Sequence, residues 1–138
     1  MPRVTRWFVR SAIVYLVAGL VMGVVSVASP LGISIAEWVT FPIYVHLLVV
    51  GWVTQLIFGV AYWMFPRYSK EQVYGNMRLA WATYIMLNVG IVLRLFGEPA
   101  RSSDPDTVWG WLLAASAVLQ WLAGLSFVVG IWPRIKER

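Results

Sequence analysis

The stretch Ile43-Tyr-Val-His46-Leu-Leu-Val-Val-Gly51-Trp52-Val-Thr-Gln55-Leu-Ile-Phe58-Gly59-Val-Ala61-Tyr62-Trp63-Met64-Phe65 decides the fold class. It holds no Asp, Glu, Lys or Arg, and its apolar residues run on without the every-second-residue alternation of a half-buried strand. Roughly 20 such residues, at 1.5 Å each, cross the hydrocarbon core of a bilayer. In lipid the backbone must satisfy its own hydrogen bonds, which a helix does alone and a barrel does only with about eight or more strands. The reading is a transmembrane helix. Three further stretches match it: Ser11 to Ser29, Leu79 to Phe96, and Val108 to Trp132. Connectors rich in Pro, Gly and charge separate them, at Pro30 to Pro42, Pro66 to Arg78, and Gly97 to Thr107. The expected fold is all-α, an integral membrane bundle of four transmembrane helices forming a single domain over 1–138.

Composition agrees. Of 138 residues 60% are hydrophobic and 12% charged, with a mean hydropathy of +0.73; soluble domains hold about 45–50% and about 25%. Disorder and a collagen-like chain are excluded by the apolar content and the aperiodic glycines. The absence of cysteine excludes a disulfide scaffold, an iron–sulfur cluster and a zinc–thiolate site. A net charge of +5 would suggest nucleic acid in a soluble protein, but here it reports sidedness, and no nucleic-acid partner is expected. Nine Lys and Arg lie at the amino terminus, the second connector and the carboxyl terminus: Arg3, Arg6, Arg10, Arg67, Lys70, Arg78, Arg134, Lys136 and Arg138. Only Arg94 and Arg101 lie on the other side, with Glu37, Glu98, Asp104 and Asp106. Basic loops stay in the cytoplasm, so both termini are expected inside, in a multi-pass protein of the cell inner (cytoplasmic) membrane.

The first span follows arginines and ends in small residues, as a signal peptide does, but its apolar run exceeds the usual ~7–15 residues; it reads as a retained helix. Trp7, Trp38, Trp63, Tyr68, Trp109, Trp111 and Trp132 fall near the span ends, where amphipathic rings prefer to sit. Pro66-Arg67 and Pro133-Arg134 read as stop signals, the proline ending the helix and the arginine snorkelling into the headgroups.

His46 is the sole histidine and lies about one turn inside the outer end of the second span. An ionisable side chain within a membrane helix is costly and by default marks function. A neutral imidazole is the usual protein ligand of haem iron. The plain alternative is a helix-end histidine hydrogen-bonded to a neighbouring Ser, Thr or carbonyl.

The run from His46 through Gly51-Trp52, Phe58-Gly59 and Tyr62-Trp63 to Pro66-Arg67 resembles the second transmembrane helix of subunit I in the haem–copper oxidase superfamily, particularly its nitric-oxide-reductase and cbb3-like branches. The resemblance implies that His46 is an axial ligand to the iron of a haem b, and that the chain corresponds to a stand-alone four-helix unit of that subunit. Gly51 and Gly59 would let a flat ring or a neighbouring helix approach closely. The family's copper-site histidines, high-spin haem histidine and second low-spin ligand have no counterparts, so this chain alone is not expected to reduce oxygen or nitric oxide. A second axial ligand is open. Met64 lies about 27 Å from His46 along a helix and Met77 lies at the boundary, leaving Met22 and Met86 nearer mid-membrane. Two copies, each offering His46 to one haem, would also complete the coordination in a homo-oligomer.

Arg94, at a depth similar to His46, and Arg101 are candidate partners of the haem propionates, since a guanidinium fork suits a carboxylate. Arg94 equally reads as a snorkelling side chain or a pair with Glu98, four residues on. Asn88, Gln55 and Gln120 read as interhelical hydrogen-bonding groups, and Gly19-Leu-Val-Met22-Gly23 as a close-packing motif. The acidic outer loop would attract a basic partner such as a soluble cytochrome, or simply cap the fourth helix through Asp104-Pro105-Asp106. No Walker loop, GxSxG or HExxH pattern occurs, and every Asp and Glu lies in a loop or near a span end, which argues against an ion-coupled transporter. Two functions lead, ahead of a small-molecule channel or sensor in the manner of Trp-rich membrane receptors, which usually have five spans against the four here. One is a haem-b protein for electron transfer, haem or gas sensing, or an accessory role in a respiratory membrane complex. The other is a cofactor-free structural or assembly subunit of a larger membrane complex.

Overall fold

A computed structural model describes residues 1–27, 37–65, 75–103 and 108–135, with the side chains of 37–40, 102 and 103 left aside. These residues form helices and no strand. The elements are α1 (Arg3–Ser26), α2 (Glu37–His46), a π-helical segment (Leu47–Thr54), α3 (Gln55–Met64), α4 (Met77–Ser103) and α5 (Trp109–Ile131), closed by a 3-10 turn (Trp132–Arg134). The segments α2, π and α3 run on from one another and make one rod. Four rods are therefore long and apolar enough to cross a membrane. No more than 28% of any span's most apolar stretch is buried within the molecule. The rest faces outward, and what it presents is Ile13, Val17, Leu20, Val49, Ile57, Val89, Leu125 and Val129. Helices apolar on every side belong in lipid.

Local chemistry sets the rod ends. Asn76 caps α4, its Oδ1 accepting from the N–H groups of Arg78 at 3.0 Å and Leu79 at 3.3 Å. Phe65 ends α3 in extended backbone (φ −63°, ψ 150°), the conformation forced on a residue preceding a proline. Three helices exceed the expected spans. α1 starts at Arg3, the second rod at Glu37 ahead of Pro42, and α4 passes through Gly97 and Pro99 to Ser103. The physical reason is that hydrocarbon thickness fixes the apolar length, whereas a helix continues into the headgroup layer while its backbone bonds propagate. Tyr68, Pro66-Arg67 and the proposed Asp104-Pro105-Asp106 cap lie outside the described residues.

The rods pair as two antiparallel hairpins. Along the first, Gly23 meets Tyr44, Gly19 meets Leu48, Tyr15 meets Gly51 and Phe8 meets Gly59. The Gly19–Gly23 motif thus packs inside the chain, against the second rod. Along the second, Gly97 meets Leu113, Gly90 meets Ser116 and Gln120, and Gly130 meets Leu79. An aromatic cluster joins the hairpins. Phe8 lies edge-on to Tyr84 with centroids 5.1 Å apart and stacks on Tyr62 at 5.9 Å, while Phe58 stacks on Phe127 at 3.8 Å. All four rods contribute a ring.

Arg134 departs from expectation. It does not snorkel: it is fully buried, donating from Nη1 to the Tyr62 carbonyl at 3.2 Å and from Nη2 to the Phe65 carbonyl at 2.7 Å. The last carbonyls of α3 lack intrahelical donors. The 3-10 turn after α5 points the guanidinium at them, so it is drawn inward.

Candidate functional site: the His46–Arg94–Glu98 node

His46 ends α2, one residue before the helix widens into its π-helical segment. There the Thr54 hydroxyl donates to the Val49 carbonyl, five residues back, at 2.8 Å. Such widened turns are frequent at functional sites. The imidazole is held at both nitrogens. Nδ1 lies 2.8 Å from the Pro42 carbonyl oxygen and Nε2 lies 2.9 Å from Nη1 of Arg94 on α4. These partners determine the tautomer. A carbonyl only accepts, so Nδ1 carries the proton and donates it; a guanidinium only donates, so Nε2 keeps its lone pair and accepts. The ring is neutral, with its basic nitrogen turned toward α4.

The Nη1 that reaches His46 also lies 3.3 Å from Oε1 of Glu98, and both side chains are largely buried. The pairing with Glu98 expected from the four-residue spacing is therefore present together with the contact to His46. Arg94 Nε is buried with no acceptor among the described residues. A buried, unpaired donor on a cation is costly and suits an anionic group placed beside it.

A neutral imidazole anchored by Nδ1–H to a backbone carbonyl is the orientation a metal-binding histidine takes. A cation with a spare buried donor beside it suits a porphyrin carboxylate. Were a haem held here, His46 Nε2 would be the group to bind its iron and Arg94 the group to meet a propionate; in the structure Nε2 is paired with Arg94 instead.

The remaining expected site residues divide. Arg101 is exposed two turns further along α4, about 10 Å beyond Arg94, and makes no contact with the node. Gly51 and Gly59 admit a helix, not a ring. A Cβ on Gly51 would fall 2.8 Å from Cβ of Tyr15, and one on Gly59 would fall 2.7 Å from Cβ of Phe8. Both seats are filled by α1. Among the described residues no three of His, Cys, Asp and Glu converge on a point.

Below the node lies a polar layer centred on Asn88. Its Oδ1 accepts from the Tyr15 hydroxyl at 3.0 Å and from Gln55 Nε2 at 3.1 Å, and its Nδ2 donates to the Tyr84 carbonyl at 2.8 Å. The interhelical role expected of Asn88 and Gln55 is present. Gln120 differs: its amide donates to Ser116 within α5, and the Ser116 hydroxyl makes the crossing, to the Gly90 carbonyl at 2.6 Å. Two contributors were missed from sequence, the Pro42 carbonyl and buried Arg134. The carbonyl of residue 42 lies one turn before His46 whatever its side chain, so the sequence held no signal for that contact, and nothing in it marked Arg134 as buried.

No protein-family model matches the chain, and no curated protein or solved structure matches it either.

Proposed function

We propose that this chain is a haem-b-binding protein of the cytoplasmic membrane, related to subunit I of the haem–copper oxidases, with both termini inside. Its role on this reading is electron transfer, haem or gas sensing, or accessory service in a respiratory complex. The observation that carries the reading is the tautomer of His46. Its Nδ1 proton is spent on Pro42, and its Nε2 lone pair is presented across the α2–α4 interface to a buried guanidinium with a donor to spare. A haem bound at such an imidazole would supply one-electron exchange, or gas binding if no second ligand closed the iron. The chain's own residues fix the imidazole, supply the cation for a carboxylate and keep water away through the surrounding apolar helices. With one histidine per chain, two copies would each offer His46 to one shared haem on the electron-transfer reading, which would make the protein a homo-oligomer.

Absorption spectra of protein purified from haem-replete membranes test this. The expected result is a Soret band that sharpens on reduction and is lost in His46→Ala, with one haem per two protomers. A colourless wild-type protein overturns it. That outcome selects the second reading, a cofactor-free subunit of a larger membrane complex, which two observations favour: Nε2 already has a hydrogen-bond partner, and the seats at Gly51 and Gly59 are filled from within.

A further inference from the structure

We infer that the groove lined by Trp7, Arg10, Ser11, Val14 and Tyr15 on α1 binds the phosphate headgroup of an anionic phospholipid. The groove is a shallow, largely open depression of about 240 Å³ along α1, and its lining is mainly apolar. Arg10 is exposed within a helix long and apolar enough to span a membrane, and no side chain among the described residues pairs with it. Arg10 stands just before the apolar run that begins at Ser11, where a cation beside hydrocarbon attracts a lipid phosphate. Arg3, Arg6 and Arg10 are spaced three and four residues apart, so they share one face of α1. That face continues as Ile13, Val17, Leu20 and Val24, all at least half exposed. A basic ladder ending in an apolar ladder matches a molecule with a negative head and a hydrocarbon tail, and an inorganic anion would leave the apolar part unused.

On the inner side of the groove Ser11 Oγ lies 2.7 Å from the Tyr84 hydroxyl, which ties this part of α1 to α4. Trp7 stands half exposed at the rim, its ring 6.3 Å from that of Tyr84, where an indole suits the headgroup boundary. The inference is independent of the haem reading, since it uses neither His46 nor Arg94.

Native mass spectrometry of the full chain released from nanodiscs of equal phosphatidylglycerol and phosphatidylcholine tests it. One basic side chain near a membrane surface favours an anionic lipid about fivefold, equivalent to about 1 kcal/mol. Wild type should retain phosphatidylglycerol over phosphatidylcholine by at least that factor, since Arg3 and Arg6 share the face. Arg10→Gln should cut the preference by about fivefold, and Arg78→Gln, an exposed charge on α4 near the same end of the bundle, should cut it by much less. Equal retention of both lipids by the wild type overturns the site, and this comparison does not depend on any variant folding. An equal loss in Arg78→Gln also overturns it, since diffuse charge would then suffice. Displacement of the retained lipid by millimolar inorganic phosphate would overturn the lipid assignment in favour of a free-anion pocket.

Discussion

His46 is bonded at both ring nitrogens, Nδ1 donating to the Pro42 carbonyl and Nε2 accepting from the Arg94 guanidinium. Arg94 is the more consequential partner, because it is a full charge held in a largely buried place with Glu98 as its counterion. On the haem reading, a cation at a propionate would favour the ferrous over the ferric state, which carries one more positive charge. Arg94→Gln should therefore lower the midpoint potential, by on the order of 60 mV for a one-electron couple at about 1.4 kcal/mol. Redox titration followed at the Soret band measures this. An unchanged or raised potential would separate Arg94 from the iron site. The presence of His46 and the charge of Arg94 were legible in the sequence. Their 2.9 Å contact was not, because it bridges residues 48 positions apart through the packing of two rods.

At the scale of elements, α1 and the second rod are held together by glycines whose missing side chains are filled. Their backbones approach closely because Phe8 and Tyr15 place their Cβ atoms where a glycine Cβ would stand. Lipid supplies no hydrophobic drive between helices, so such close packing is a main source of association. Gly59→Leu should weaken this hairpin by more than about 1–3 kcal/mol, the usual cost of overpacking, because the clashing atom is a Cβ and cannot swing away. Gly110 makes the contrast: nothing lies within 4 Å of its Cβ position, so Gly110→Ala should leave stability unchanged or slightly raised. Unfolding in graded SDS distinguishes the two variants. The helical character of these rods was written in their apolar runs. The π-helical segment Leu47–Thr54 was not, since eight residues in widened turns leave a continuously apolar pattern unaltered.

For the molecule as a whole, the two hairpins are closed at one end by Arg134. It reaches from the turn after α5 to the carbonyls of Tyr62 and Phe65 at the end of the second rod. Arg134→Leu strands those acceptors and should cost on the order of 2–3 kcal/mol, read as a lowered thermal midpoint in detergent. Arg134→Lys should recover only part of the loss, because an ammonium does not reproduce a planar fork spanning two carbonyls. The same end of the bundle gathers Arg3, Arg6, Arg10, Arg78 and Arg134, which is the basis for proposing that it faces the cytoplasm. Alkaline phosphatase fused at either terminus should be inactive, and a fusion placed in the 104–107 connector active. Activity at a terminus would reverse the proposed sidedness.

The sequence by itself determined that this chain is all-helical, that four stretches are apolar enough to cross a bilayer, and which residues carry charge or a ligand nitrogen. These follow from hydropathy and backbone hydrogen bonding, which act locally along the chain. Only the tertiary structure decided that Gly51 and Gly59 receive α1, that Arg134 turns inward, and that Arg94 stands on the basic nitrogen of His46. Those outcomes depend on the relative rotation and height of neighbouring rods. Rotation and height are set by side chains meeting across helices, and a pattern read along one helix does not contain them.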